Sequence, residues 1–156
     1  KRTWIEKCHF DSDDNVVITP FMIKNMLSDA AKFLSIKIKG KGQATYTKHF
    51  EAGIIVQDNF PIGIKRKDVK PTSIHVPSDG KRGGSSRVLK YFPCIEDWSC
   101  EAVIYIADDT ITREVLFEHI SQAGTFIGIG ALRPRNNGIA GRFKAEILSF
   151  DEASWG

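Results

Sequence analysis

Apolar and polar positions along this chain predict two amphipathic helices set among short strands. Residues 15–19 (NVVIT) form an apolar run of strand length, and Thr19-Pro20 then opens a helix, with a hydroxyl for the cap and a fixed φ for the first turn. Met22, Ile23, Met26, Leu27, Ala30, Phe33 and Leu34 recur at helical spacing, while Lys24, Asn25, Ser28, Asp29 and Lys32 fill the opposite face. That spacing predicts a helix of about four turns. A second helix is expected after Thr112, which supplies the cap, with Ile111 and Leu116 in the two positions of a hydrophobic staple. Its inner stripe is Leu116, Ile120 and Ala123, and Gly124 stands where a glycine commonly ends a helix.

Strand character is expected at 53–56 (GIIV), 73–76 (SIHV), 87–92 (RVLKYF) and, most clearly, 98–107 (WSCEAVIYIA). A short apolar strand at 125–129 leads into a glycine-rich loop over 128–141. A last strand over 142–150 places Phe143, Ala145, Ile147 and Ser149 on one face and Arg142, Lys144, Glu146 and Leu148 on the other. Residues 36–50 are too polar for a core element and read as a long functional loop; 78–86 (SDGKRGGSS) is loop by composition. Strand, helix, strands, helix, strand is the order of an α+β, ferredoxin-like (βαββαβ, RRM-like) fold: a single domain over 1–156 with long basic loop insertions.

Composition fits that picture. The 156 residues are 42% hydrophobic and 26% charged, enough apolar side chain for one core and unlike a disordered tail, a collagen or a coiled coil. No apolar run reaches the ~20 residues needed to span a bilayer. Residues 1–10 mix charge with Trp4 and Ile5, so no signal peptide is expected. The three cysteines, Cys8, Cys94 and Cys100, make no CxxC pair and read as reduced thiols of a cytoplasmic protein.

Charge is unevenly placed. The net charge is only +3, yet residues 36–90 hold twelve Lys/Arg (Lys37, Lys39, Lys41, Lys48, Lys65, Arg66, Lys67, Lys70, Lys81, Arg82, Arg87, Lys90) against four acids (Glu51, Asp58, Asp68, Asp79). Residues 133–144 add Arg133, Arg135, Arg142 and Lys144 with no acid. Such concentration attracts a polyanion. The glycine-rich segment is neither a P-loop nor a dinucleotide fingerprint, since no Gly-Lys-Ser/Thr closes it and no GxGxxG runs from strand to helix. Gly128, Gly130, Gly138 and Gly141 permit close backbone approach. Arg133, Arg135 and Arg142 supply forked donors for phosphate, and Asn136-Asn137 left-handed turn geometry.

Other chemistry is sparse. No pair among His9, His49, His75 and His119 has metal-ligand spacing, and neither metal nor cofactor is expected. His49, with Tyr46 and Lys48 beside it, is the one catalytic candidate, for metal-free RNA cleavage by acid–base transfer. Asp11, Asp13 and Asp14 resemble the start of a calcium loop but lack its glycine and glutamate, so a solvated turn is expected. Asp108-Asp109 is accounted for by the dipole of the helix that follows.

At the glycine-rich loop the chain resembles the RAMP superfamily, the repeat-associated proteins of CRISPR effector complexes. Gly128-Ile129-Gly130, Arg133 and Gly141-Arg142-Phe143 match its G-x-G, arginine and closing Gly-Arg-aromatic pattern, over about the last third of the chain. Over most of its length it also resembles an uncharacterised bacteriophage protein family, through residues 2–4 (RTW), 40–53 (GKGQATYTKHFEAG) and the same loop. The resemblance implies a RAMP-like domain, any first strand upstream of Lys1 lying outside it, similar to the backbone subunits that hold guide RNA. It implies the cytoplasm of a bacterial host if phage-encoded.

The function expected is non-catalytic binding of single-stranded nucleic acid, RNA before DNA, with self-assembly along the strand or in a CRISPR-type complex. Lys39, Lys41, Lys48, Lys81, Arg82, Arg87, Arg133, Arg135 and Arg142 would hold phosphates, and Tyr46, Phe50 and Tyr91 would stack on bases. The alternatives are a phage protein that mimics a CRISPR subunit and binds or inhibits a host complex, and an endoribonuclease centred on His49.

Overall fold

A computed structural model describes residues 4–81, 83 and 86–153. The chain is mixed α+β and divides into two compact units, residues 1–19 with 59–102 and residues 20–58 with 103–156.

The first unit opens with a 3₁₀ turn at Trp4–Lys7. The acidic cluster is a turn, as expected: Asp11 Oδ1 accepts from the backbone N–H groups of Asp13 and Asn15, and Oδ2 from the Asn15 side-chain amide, all at 2.9 Å. These bonds, Asn15's first, hold the Asp11 carboxyl below its ordinary range. The turn delivers β1 (Asn15–Ile18), antiparallel to β3 (Phe60–Lys65), with Val17 opposite Pro61 and Ile18 opposite Phe60. Val16, Val17, Ile18, Phe60, Ile62 and Val69 are its buried apolar residues. A 3₁₀ turn at Arg66–Asp68 leads into a ribbon of β4 (Lys70–Pro77) and β5 (Arg87–Cys94), paired from Lys70↔Cys94 to Pro77↔Arg87. Opposed residues share a face. Thus Thr72, Ile74 and Val76 stand with Phe92, Lys90 and Val88, and Ser73 and His75 with Tyr91 and Leu89. Lys7 holds the first turn to β5, its ammonium 3.8 Å from the Phe92 ring centre and 2.6 Å from the Tyr91 carbonyl oxygen.

The second unit is built on α1 (Pro20–Leu34), which begins at the proline as expected and buries Ile23, Met26, Leu27, Ala30 and Ala31. Phe33 stays outside, against Phe126. A second helix, α2 (Thr47–Gly53), falls where a loop is expected, because seven residues are too few to display a helical period. Lys24 secures its end: the ammonium donates to the carbonyls of Phe50, Glu51 and Ile54, at 3.2, 2.6 and 2.6 Å, satisfying acceptors the helix itself cannot. The chain then forms β2 (Ile54–Ile55), antiparallel to β6 (Tyr105–Ile106), and α3 (Arg113–Gln122). Thr112 caps α3, accepting from Val115 N–H at 3.3 Å, and the staple residues Ile111 and Leu116 are buried.

Further expectations need correction. Of 98–107 only Tyr105–Ile106 is strand, since a strand needs a ladder partner and only Ile54–Ile55 supplies one. Gly124 does not end the helix. The backbone widens into a π turn at Ala123–Ile127, in place of the short strand at 125–129, and the left-handed glycine is Gly128, φ 71°. Residues 142–148 alternate as expected, with Phe143, Ala145 and Ile147 half-buried, but Ser149 is exposed and the segment pairs with no described strand. Their backbone lies against the π turn instead: Phe143 N–H donates to the Gly124 carbonyl, and a Cβ on Gly124 would collide with the Phe143 oxygen. Among the described residues the strands pair only two by two.

Candidate nucleic-acid interface

In the second unit, residues 36–46 are an ordered, self-bonded hairpin. Ile38 N–H donates to Ala44 O at 2.8 Å and Tyr46 N–H to Ile36 O at 3.1 Å, and Lys37 bridges Thr45. Ile38 turns inward and is buried, so alternation forces Lys37 and Lys39 outward, and Lys41 follows at the tip. None of the three, nor Lys48 on α2, forms an ion pair with a described residue. The bonded backbone already sets where these cations stand, so binding phosphate has only their side chains to order.

The glycine-rich loop is likewise tied internally. Ile129 N–H donates to Gly141 O, Ala140 N–H to Leu132 O and Gly138 N–H to Arg133 O, each at 3.0 Å. A 3₁₀ turn at Pro134–Asn136 forms the tip, ended by Asn137 in the left-handed region. The three arginines therefore differ. Arg133 is half-buried and donates to the Gly130 carbonyl at 2.9 Å, so it braces the loop, whereas Arg135 is exposed and unengaged among the described residues. Arg142 lends its Nε–H to the Thr125 carbonyl at 3.1 Å.

The aromatic and histidine candidates on α2 part company. Phe50, expected to stack on bases, is fully buried and stacks on the His119 ring at 4.2 Å, so it belongs to the core. Tyr46 meets His119 edge-on at 5.5 Å. His49 has instead a partner missed in the sequence, its Nδ1 lying 2.6 Å from Asp108 Oδ2. Asp108 Oδ1 accepts from Thr110 N–H, and the His49 bond leads in holding that carboxyl below its usual range. The close fit needs Gly53, where a Cβ would come 2.6 Å from that of Asp108. A His–Asp pair orients an imidazole.

His119 is buried, donates Nδ1–H to the Val115 carbonyl at 2.8 Å, and has no partner at Nε2 among the described residues. Burial keeps its imidazole below the ordinary histidine range, outweighing the Val115 carbonyl and Glu118. The unfolded chain is then protonated first, so stability is full above about pH 6.5 and declines as the pH falls through that value toward the lower folded one. His119→Phe should flatten this slope in melting curves taken between about pH 7.5 and 5. Equal slopes in variant and parent would acquit His119.

In the first unit, Lys81 and Arg87 are exposed at the end of the ribbon and Tyr91 is 50% exposed on its flank; Arg82 lies outside the described residues. Lys65, Arg66 and Lys67, counted in the basic stretch but not expected as a site, line a groove with Trp4, Ile5, Asp14 and Val69.

No family model, curated protein or solved structure matches the chain. The site is therefore read from its own chemistry. Among the described residues no group of three or more His, Cys, Asp or Glu is placed to hold a metal ion, and no helix is long and apolar enough to cross a membrane. Cys8, Cys94 and Cys100 are free, and burial pushes the Cys8 and Cys100 thiols up, away from thiolate chemistry.

Proposed function

We propose that this chain binds single-stranded nucleic acid, RNA in preference to DNA, chiefly through phosphate. The observation that carries the reading is the 36–46 hairpin, which holds Lys37, Lys39 and Lys41 outward on a bonded frame without counter-charge among the described residues. Arg135 at the tip of the glycine-rich loop, and Lys81, Arg87 and Tyr91 on the ribbon of the other unit, support it. Phosphate binding fixes register without reading sequence, so affinity should depend on salt more than on base order. The same proposal takes the RAMP-like, ferredoxin-derived scaffold, supported by the order β1–α1 and β6–α3 and by the glycine-rich loop after α3. Assembly along the strand belongs to it too.

Fluorescence-anisotropy titration of RNA and DNA oligomers over a salt series tests the reading. We expect the parent to bind at low salt, and Lys39→Glu/Lys41→Glu and Arg135→Glu each to weaken binding. The slope of log K against log salt should shrink by about 0.7 for each phosphate that a variant no longer neutralises. No binding at low salt would end the proposal.

A further inference from the structure

The groove of the first unit combines two chemistries that the basic loops do not. It is open to solvent, with a volume of about 710 Å³, inside the roughly 300–1,000 Å³ typical of small-molecule sites. Trp4 and Ile5 from the first 3₁₀ turn and Val69 give it an apolar wall; Lys65, Arg66 and Lys67 give it cations. The cations are arranged unequally. Lys65 donates to the Asp13 carbonyl at 3.1 Å, and Arg66 lies over the Phe10 ring at 4.9 Å, its backbone N–H bonded to Asp14 O at 2.9 Å. Lys67 is exposed, and its ammonium has no partner among the described residues. Asp14, the one acid among the described residues lining the groove, is 4.0 Å from Arg66.

We propose that this groove is a nucleotide subsite, in which the Trp4 indole stacks on one unpaired base of a single strand while Lys67 and Arg66 hold the adjoining phosphate. An indole beside cations is the combination that single-strand binders use, because every base offers a π-face and every nucleotide a charge. The subsite rests on the nucleic-acid reading given above and adds to it a base-contacting element in the other unit. Asp14 opposes phosphate and sets a limit on affinity. It sits at φ 58°, a conformation asparagine also adopts readily, so its charge can be removed without disturbing the turn.

The test uses the whole chain, a labelled single-stranded uridine oligomer and inorganic polyphosphate as the base-free probe. Trp4→Leu should weaken oligomer binding about tenfold and leave polyphosphate binding unchanged, with Trp4→Phe restoring most of the loss. Lys67→Glu should weaken both probes. Asp14→Asn should tighten both, whereas Glu96→Gln, the same change of charge at an exposed position of this unit outside the groove, should not. Oligomer binding equal to the parent in Trp4→Leu and Lys67→Glu would overturn the subsite and leave the nucleic-acid reading standing. Equal loss of both probes in Trp4→Leu would overturn the stacking role. Failure of the parent to bind the oligomer at low salt would overturn both.

Discussion

Phe50→Ala should lower the melting temperature by about 10 °C. Phe50 is fully buried on α2 and its ring lies face to face with His119 at 4.2 Å. Truncating a buried phenylalanine costs about 3–5 kcal/mol, through forfeited transfer energy and the cavity left behind. At this chain length each kcal/mol moves the midpoint by roughly 2–4 °C. Two circumstances put the cost toward the upper end. Truncation also removes the stacking of the Phe50 ring on His119, a contribution beyond the area buried. The helix is also short, and it is held by Lys24 on its carbonyls and by burial of Phe50 more than by its own propensity. Tyr91→Ala is the matched control: at 50% exposure it should change stability by no more than about 0.5 kcal/mol while weakening oligomer binding. Circular-dichroism melting of the two variants beside the anisotropy titration separates them. An unchanged midpoint for Phe50→Ala would remove Phe50 from the core and return it to the candidate interface.

That contrast also shows what a single sequence makes legible. α1 is readable because fifteen residues repeat the apolar spacing four times and a proline marks the start. α2 is not, because a seven-residue helix built on one buried aromatic looks like a loop with an exposed one. Residues 98–107 have the composition of a strand, but composition reports that a side chain suits a ladder and says nothing of whether another strand arrives to form it. Gly124 illustrates the ambiguity of glycine: the residue that reads as a helix stop is there because the backbone of Phe143 crosses it. The candidate sites divide along the same line. Exposed cations could be read as a charge pattern, since solvated lysines need no partner. His49 with Asp108, 59 residues apart, and Trp4 with Lys67 are joined only by the fold.

Gly141→Ala should cost about 3 kcal/mol and release the glycine-rich loop. Gly141 has φ 83°, where an L side chain meets its own backbone at a cost of roughly 1–2 kcal/mol. Here a second effect adds to the first. A Cβ at this position would collide with the Ile129 carbonyl oxygen, and Ile129 N–H donates to the Gly141 carbonyl, so relieving the collision breaks the bond that closes the loop's neck, worth about 1 kcal/mol. Gly130 supplies the internal control. Its φ is 96°, but a Cβ there has nothing within 4 Å, so Gly130→Ala should carry the conformational cost alone. The difference between the two variants in urea midpoint therefore measures the closed neck. The same difference should appear in function, because Arg135 is held at the tip by that neck, through the bonds of Gly138 and Ala140. We expect Gly141→Ala to raise proteolysis within 130–140 and to weaken oligomer binding about as much as Arg135→Glu, while Gly130→Ala leaves both near the parent. Equal destabilisation in the two variants would mean the neck contributes nothing. Intact binding in a Gly141→Ala chain whose loop is cleaved would place the phosphate-binding groups elsewhere, on the lysine hairpin.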